Sequence, residues 1–538
     1  MRYSFLIPFV MVGTGACTGV GASPASPGTS PAASTAPAAP TTQPEAVYSA
    51  VTYSESTSRA AATISPDQIQ EHVAYLASDE LQGRDTPSPG LEMAAEYLAA
   101  EFESAGLSPA GDDETFFQRF PYTRTAMVVE SRQVAYEGPS GAQVLDFGRD
   151  YYVIPGQQIA EGSEVVFGGP ARQPADGVAQ AARGKALLFT TYGNPVVGTG
   201  EALLGAFQVA AQGGASAMVL LLDDTNTPDS ILDLASGIQG AGLATPLPIV
   251  GLSADQSHAL FAAAGLDLPS LRETPPSSAI PLEGITMTVA APFEVSEHTP
   301  PNVVAMLRGS DPVLQNEYIV YSAHFDHVGI GLPNEAGDSI YNGADDDASG
   351  TSVLLETAAA FAAMEELPAR SVIFLAVSGE EKGLLGSKYF SENPTVPIEG
   401  IIMNINLDMV GRNHPDTVIG VGRQYTNLGP LTDRILEEHP DLGFTVIEDP
   451  KPEDQAFFRS DHLHFVNKDI PAIFFTTWDH EDYHKPSDEA HLIDSQKAAR
   501  IARMVFYLGA RIASGDEDPE WTESGLAEVQ QIIAENGN

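Results

Sequence analysis

The sequence predicts an α/β protein: a mixed, mainly parallel sheet layered between helices, interrupted by a smaller α/β module. Three observations predict it. Four nearly continuous apolar runs, "EYIVYSA" from Glu317, "SVIFLAVS" from Ser371, "GIIMNINL" from Gly400 and "PAIFFTT" from Pro471, read as strands covered on both faces. Segments with helical character, "SGTSVLLETAAAFAAM" and "GLLGSKYFSE", lie between them. Residues 141–292 have another texture, with short apolar strands such as "KALLFTT" and "SAMVLLL" alternating with Gly/Ala-rich helices.

In chain order, the first 17 residues read as an export signal. Arg2 makes a short positive region, Phe5 to Val12 an apolar one, and small residues follow; the apolar run is shorter than the roughly 20 residues of a membrane span. Cys17, the only cysteine, sits where such a signal is cut, and the layout resembles bacterial lipoprotein signals, although Thr14 stands where those carry an aliphatic residue. The expectation is export, either as a periplasmic or outer-membrane lipoprotein or as a secreted chain. Without a second cysteine, an internal disulfide and a Cys-ligated zinc site are excluded. Residues 18–60, rich in Pro, Ala, Ser and Thr, read as a linker.

The main domain is expected in two parts, 61–140 and 293–515, around the module, with an acidic C-terminal tail over 516–538. Ser65 caps a first helix, Pro66 fits its first turn, and Gln68 is expected to complete a capping box. A second helix, "GLEMAAEYLAAEFESAG", stops at Gly106. At 538 residues, two domains plus tails are natural, and 43% apolar against 18% charged residues is a globular balance. The net charge of −46 repels phosphate backbones and anionic lipid, which argues against nucleic acid and leaves the lipid anchor as the one expected membrane contact.

Chemistry concentrates after the four strands. The first is followed by His324, Asp326 and His327, then by "GADDDASG" with Asp345, Asp346 and Asp347; the second by Glu380 and Glu381; the third by Asp408; the fourth by His480 and His484. Ligands of open α/β sheets bind in the crevice beyond the carboxyl ends of the strands, so these groups are expected to converge. That much negative charge in one crevice is unfavourable unless compensated, and a pair of divalent cations compensates it. Imidazole with carboxylate suits zinc, with manganese or cobalt as substitutes. Each residue alone has a bland reading, such as a hydrogen-bonded His or a helix first turn. Their joint placement disfavours those readings. By contrast, Asp112, Asp113 and Glu114 in "GDDETFF" read as a solvated turn.

"SAHFDH", "NGADDDASGTSVLLE", "SGEEKGLLGS", "NLDMVG" and "YHKPSDE" resemble the motif series of the di-zinc exopeptidases, which include secreted bacterial leucine aminopeptidases, glutamate carboxypeptidase II and the non-catalytic transferrin receptor. The resemblance covers roughly residues 64–125 and 296–510. It implies a zinc exopeptidase fold and two zinc ions bridged by Asp346, with His324 and Asp408 completing one site and Glu381 and His484 the other. It implies Glu380 as general base, Asp326 as the acid orienting His324, and a cis peptide between Asp346 and Asp347, leaving Asp345 solvated. "GKALLF", "AAQGGASAMVL" and "PIVGLS" resemble a protease-associated domain.

The function implied is a co-catalytic two-zinc exopeptidase in which a metal-activated water attacks the peptide bond. An acidic crevice favours substrates with a free N-terminus, hence an aminopeptidase. A carboxypeptidase of the glutamate carboxypeptidase type needs basic groups, of which Arg412, Arg459 and Lys485 lie in nearby loops. A single-zinc glutaminyl cyclase is the other alternative, disfavoured by His324 and the complete ligand set. A receptor-like protein would lack ligands, and a calcium protein would have no use for His324 and His484. Lesser candidates are Asp461, His462 and His464 near the substrate, Phe457, Phe458, Trp478 and Tyr483 lining a pocket, and Asp488 as a partner of His484.

Overall fold

The computed structural model describes residues 55–127, 132–154, 159–191, 200–223, 247–331, 333–334, 336–452 and 455–536. The predicted signal, Cys17 and most of the linker lie outside them.

The main sheet has nine strands. Its centre runs Ser371–Val377, Tyr318–His324, Ile401–Leu407 and Ala472–Thr476, all mutually parallel, so their carboxyl ends share one edge. These are the four strands the apolar runs predict, and they are buried almost throughout, as parallel strands covered by helices on both faces must be. Pro301–Leu307 and Thr417–Val421 flank them antiparallel, which makes the sheet mixed. One apolar core joins the sheet to helices Pro66–Leu76, Pro89–Ser104, Gly350–Ala362 and Ser495–Ala513. A second core under the other face takes Phe390 and Phe465, from Leu385–Glu392 and His462–Val466.

Among the described residues between 133 and 290, eight strands form a sheet of their own, from Gln133–Gly138 to Ile280–Ala290, with separate apolar cores. An antiparallel ribbon of Tyr122–Met127 and Phe293–His298 leads into and out of it.

Three details depart from expectation. Within the predicted linker, Glu55–Ala61 is a helix that buries Ala60 and Ala61. Ser65 caps the next helix by accepting from the Asp67 and Gln68 N–H groups, but its own N–H donates to Glu356 Oε2 (2.9 Å) rather than to Gln68. Tertiary packing thus supplies the second half of the box. The predicted tail carries a helix, Gly525–Asn536, that buries Val529, and Trp521 Nε1 donates to the Asp469 carbonyl.

Candidate metal centre

The turn after Tyr318–His324 and the "GADDDASG" loop are tied together by Arg84. Its fully buried guanidinium donates to the carbonyls of Phe325 (2.8 Å), Asn342 (2.7 Å), Gly343 (2.9 Å) and Leu76. Unlike the exposed Asp112–Glu114 turn, Asp345, Asp346 and Asp347 are all buried. The Asp346–Asp347 peptide is cis. Asp347 Oδ1 accepts from the Gly350 and Met409 N–H groups, fixing the helix start against the turn at Asp408. Asp345 is not solvated, as expected, but accepts from Gly411 N–H (2.6 Å) and lies 3.3 Å from His480 Nε2. Asp488 does not serve His484. It accepts from the N–H groups of Asp345 and Asp346, so it anchors the bridge loop through backbone.

Two clusters of donor atoms result, each with all its atoms within 4.8 Å of one another: His324, Asp346 and Asp408; and His327, Asp346, Glu381 and His484. His324 Nε2 lies 3.2 Å from Asp346 Oδ1 and 3.5 Å from Asp408 Oδ1. On the other side, His484 Nε2 is 3.0 Å from Asp346 Oδ2 and 3.2 Å from Glu381 Oε2, and His327 Nδ1 is 2.8 Å from Glu381 Oε1. The two oxygens of Asp346 therefore face different clusters. Asp408 Oδ2 accepts from Ser460 Oγ (2.8 Å), which leaves Oδ1 for His324.

The residues fit two zinc ions. A tetrahedral zinc with bonds of about 2.0–2.1 Å holds its donor atoms roughly 3.3 Å apart, the spacing found here. His327 Nδ1, Glu381 Oε1 and His484 Nε2 are buried atoms, so imidazole nitrogens and carboxylate oxygens gather here around one small space closed to solvent. All donors are nitrogen or carboxylate oxygen, the set zinc accepts.

Among the protein groups alone, burial lowers His324 and His484, but the carboxylates around each outweigh it and raise both well above the usual imidazole value. Burial raises Asp346, yet His327, His324 and His484 hold it well below the carboxylate range. Burial, with Glu381 adding to it against His324, holds Glu380 well above that range. Adjacent carboxylates are thus split, since Glu381 is pulled low by His484 against its own burial.

Asp326 departs from expectation in detail. His324 Nδ1 donates to the main-chain carbonyl of Asp326 (3.2 Å), while the carboxylate, 3.9 Å away, accepts from Thr86 Oγ1 and Glu380 N–H. Its side chain therefore steadies the turn that carries Glu380. A pocket above the clusters is lined by Glu380, Asp408, Arg459, Trp478, Asp479 and Tyr483, among others. Trp478 and Tyr483 thus sit where expected, whereas Phe457 belongs to an apolar core, and Phe458 packs against it. His462 is buried between Phe457 and Phe474. Arg412 is engaged by Asp482 (2.8 Å), and Lys485 by the Glu481 carbonyl. Sequence reasoning gave no role to His327, Arg84 or Ser460, although "HFDH" and "LQGR" contain two of them.

Residues 302–509 match the model of Peptidase family M28. A probable zinc metalloprotease of Pyricularia oryzae is 35% identical over 134 residues, covering 24% of each chain, so the chain matches about a quarter of that relative's length. The aminopeptidase from Aneurinibacillus sp. strain AM-1 superposes with a TM-score of 0.56 at 20% identity, over 85% of this chain and 96% of that one. BSAP, a zinc aminopeptidase from Bacillus subtilis, gives 0.54 at 16% identity, over 84% and 96%. The chain thus shares the fold of these two structures, and its residues 302–509 are similar to Peptidase family M28. Within that matched segment lie both donor clusters, each able to hold a metal ion.

Proposed function

We propose that the chain is a two-zinc exopeptidase acting on the free N-terminus of peptides. The observation that carries this reading is Asp346, whose two oxygens face separate imidazole–carboxylate clusters at the floor of a pocket that Glu380 also lines. His324, Asp346 and Asp408 would hold one zinc, and Asp346, Glu381 and His484 the other. Two such ions, when bound, lower the pKa of a water and polarise a scissile carbonyl. Glu380, half-buried in the lining of that pocket, takes the proton of the attacking water and returns it to the leaving amine. Asp326 supports that transfer by accepting from the Glu380 N–H, which fixes the peptide bearing the base.

The lining carries more acidic groups than basic ones, Asp346, Glu380, Asp408 and Asp479 against Arg459, which favours a substrate ammonium. Arg459 is the observation that favours a carboxypeptidase as second reading, but it lies 3.7 Å from Asp479, which offsets its charge. We further assign residues 133–290 to a protease-associated module. The paired ends of the ribbon, Met127 and Phe293, allow a short linker to replace it. Aminoacyl-arylamides and N-blocked dipeptides with free C-termini, assayed with the zinc-loaded protein, test both assignments. Hydrolysis of the arylamides is expected, retained in part without the module. Cleavage of the blocked dipeptides alone would overturn the aminopeptidase reading, and complete loss of chemistry in a folded, module-free chain would make residues 133–290 part of the catalytic domain.

A further inference from the structure

We infer that His327 is a metal ligand, so the two zinc positions are unequal: four protein donors at one, three at the other. The inference rests on the two-zinc reading above but adds a residue that reading does not need.

The spacing of the donors carries it. His327 Nδ1 stands 2.8 Å from Glu381 Oε1 and 3.6 Å from Asp346 Oδ2, while His484 Nε2 closes the figure at 3.0 Å from Asp346 Oδ2 and 3.2 Å from Glu381 Oε2. These separations bracket the roughly 3.3 Å edge of a zinc tetrahedron. The ring is completely buried, Nε2 has no hydrogen-bond partner among the described residues, and Nδ1 faces the carboxylates of Glu381 and Asp346. Two carboxylates turned on one buried imidazole nitrogen bring together the donor types that a zinc ion takes.

Its aim is also fixed. The main-chain N–H of His327 donates to the Arg84 carbonyl (3.2 Å), and the ring meets that of His484 edge-on, with centroids 5.5 Å apart. Gly343, at φ 59°, lies so close that a Cβ there would sit 2.5 Å from His327 Cγ. Only a residue without a side chain leaves the ring room to face Glu381. Among the described residues the opposite cluster has three donors, His324, Asp346 and Asp408. Four protein donors close a zinc site, whereas three leave a position open. The Glu381 position therefore fills first and holds its ion more tightly, and the His324 position keeps the open coordination.

The test reads the metal, not turnover. X-ray absorption on protein loaded with one zinc per chain is expected to show two imidazoles on that zinc, and on fully loaded protein three imidazoles per two zincs. Zinc titration of metal-free protein against a chromophoric chelator should resolve two unequal steps. In His327→Gln, which keeps a donor for Glu381, the tight step should weaken more than about 100-fold, beyond the 10–100-fold usual for residues that only support a ligand, and the half-loaded zinc should show one imidazole. One imidazole on the half-loaded wild-type zinc, or an unchanged tight step in His327→Gln, overturns the inference while two bound zincs preserve the two-zinc reading. Failure to bind two zincs at all would sink both. The wild-type spectrum decides even where the variant does not fold.

Discussion

Arg84→Met replaces a buried fork by an apolar chain of similar length. Burial pulls the guanidinium pKa only to about 10, against the pull of Asp326 and Asp346, so the group is charged at neutral pH. Its loss removes that charge and frees four carbonyls, those of Leu76, Phe325, Asn342 and Gly343. An unsatisfied buried acceptor costs about 1–3 kcal/mol, so the sum is roughly 4–12 kcal/mol before relaxation or water entry. Breaking a buried charge arrangement typically costs about 3–5 kcal/mol, so about 4 kcal/mol is the expected size. At roughly 2–4 °C per kcal/mol, the metal-free protein should melt about 8–16 °C lower. Zinc retention should fall as well, because three of the carbonyls belong to the turns carrying His324, His327 and Asp346. Arg84→Lys should fall between, since one ammonium cannot span the fork. Calorimetry in chelator and zinc retention on dialysis measure the two effects. A Met variant melting within about 2 °C of wild type, with its zinc retained, would refute the claim that this fork holds the two turns together.

Glu380→Gln should keep both zincs and lose about 10²–10⁴-fold in kcat, whereas Glu381→Gln should lose zinc from one position; metal analysis beside steady-state kinetics separates them, and equal metal loss would make Glu380 a ligand. Burial lowers His462 from 6.5 to about 3, so above 6.5 its contribution is fully present. Between those values the unfolded chain binds the proton and the folded one does not, so stability falls as the pH drops. His462→Phe should therefore reduce the stability lost between about pH 7 and 4.5 by about 3 kcal/mol, measured by urea unfolding in chelator. Parallel pH slopes for variant and wild type would contradict this.

The central strands were legible because burial on both faces leaves an unbroken apolar run. Thr445–Ile447 and Ser108–Pro109 were not, being too short to show a period and formed only by pairing with distant strands. The clusters were legible as imidazoles and carboxylates after successive strands. What supports them was not. Arg84 acts on backbone carbonyls, Asp488 on backbone N–H groups, and Ser460 on one oxygen of Asp408, and nothing in local composition marks such a partner. Asp345 looked spare because Gly411 and His480, which engage it, come from two other loops. His327 was visible as a residue. Its role depends on the direction its ring takes, which the Gly343 backbone decides.

The Arg84 fork also sets an order of events during synthesis. Its partners at Asn342 and Gly343 lie 258 and 259 residues further along the chain. A chain emerging N-terminus first at about 5–20 residues per second therefore keeps Arg84 waiting roughly 13–50 s for those carbonyls. During that wait the helices Pro66–Leu76 and Pro89–Ser104 have no central strand of their own sheet to cover Ile69, Val73, Leu91 or Leu98. Every strand of the eight-stranded sheet, by contrast, lies between Gln133 and Ala290, so that unit can close before His324 has been made. The nascent chain thus carries a finished middle beside an apolar, unpaired beginning, and its greatest exposure to misassociation falls in the interval before Tyr318–His324 arrives.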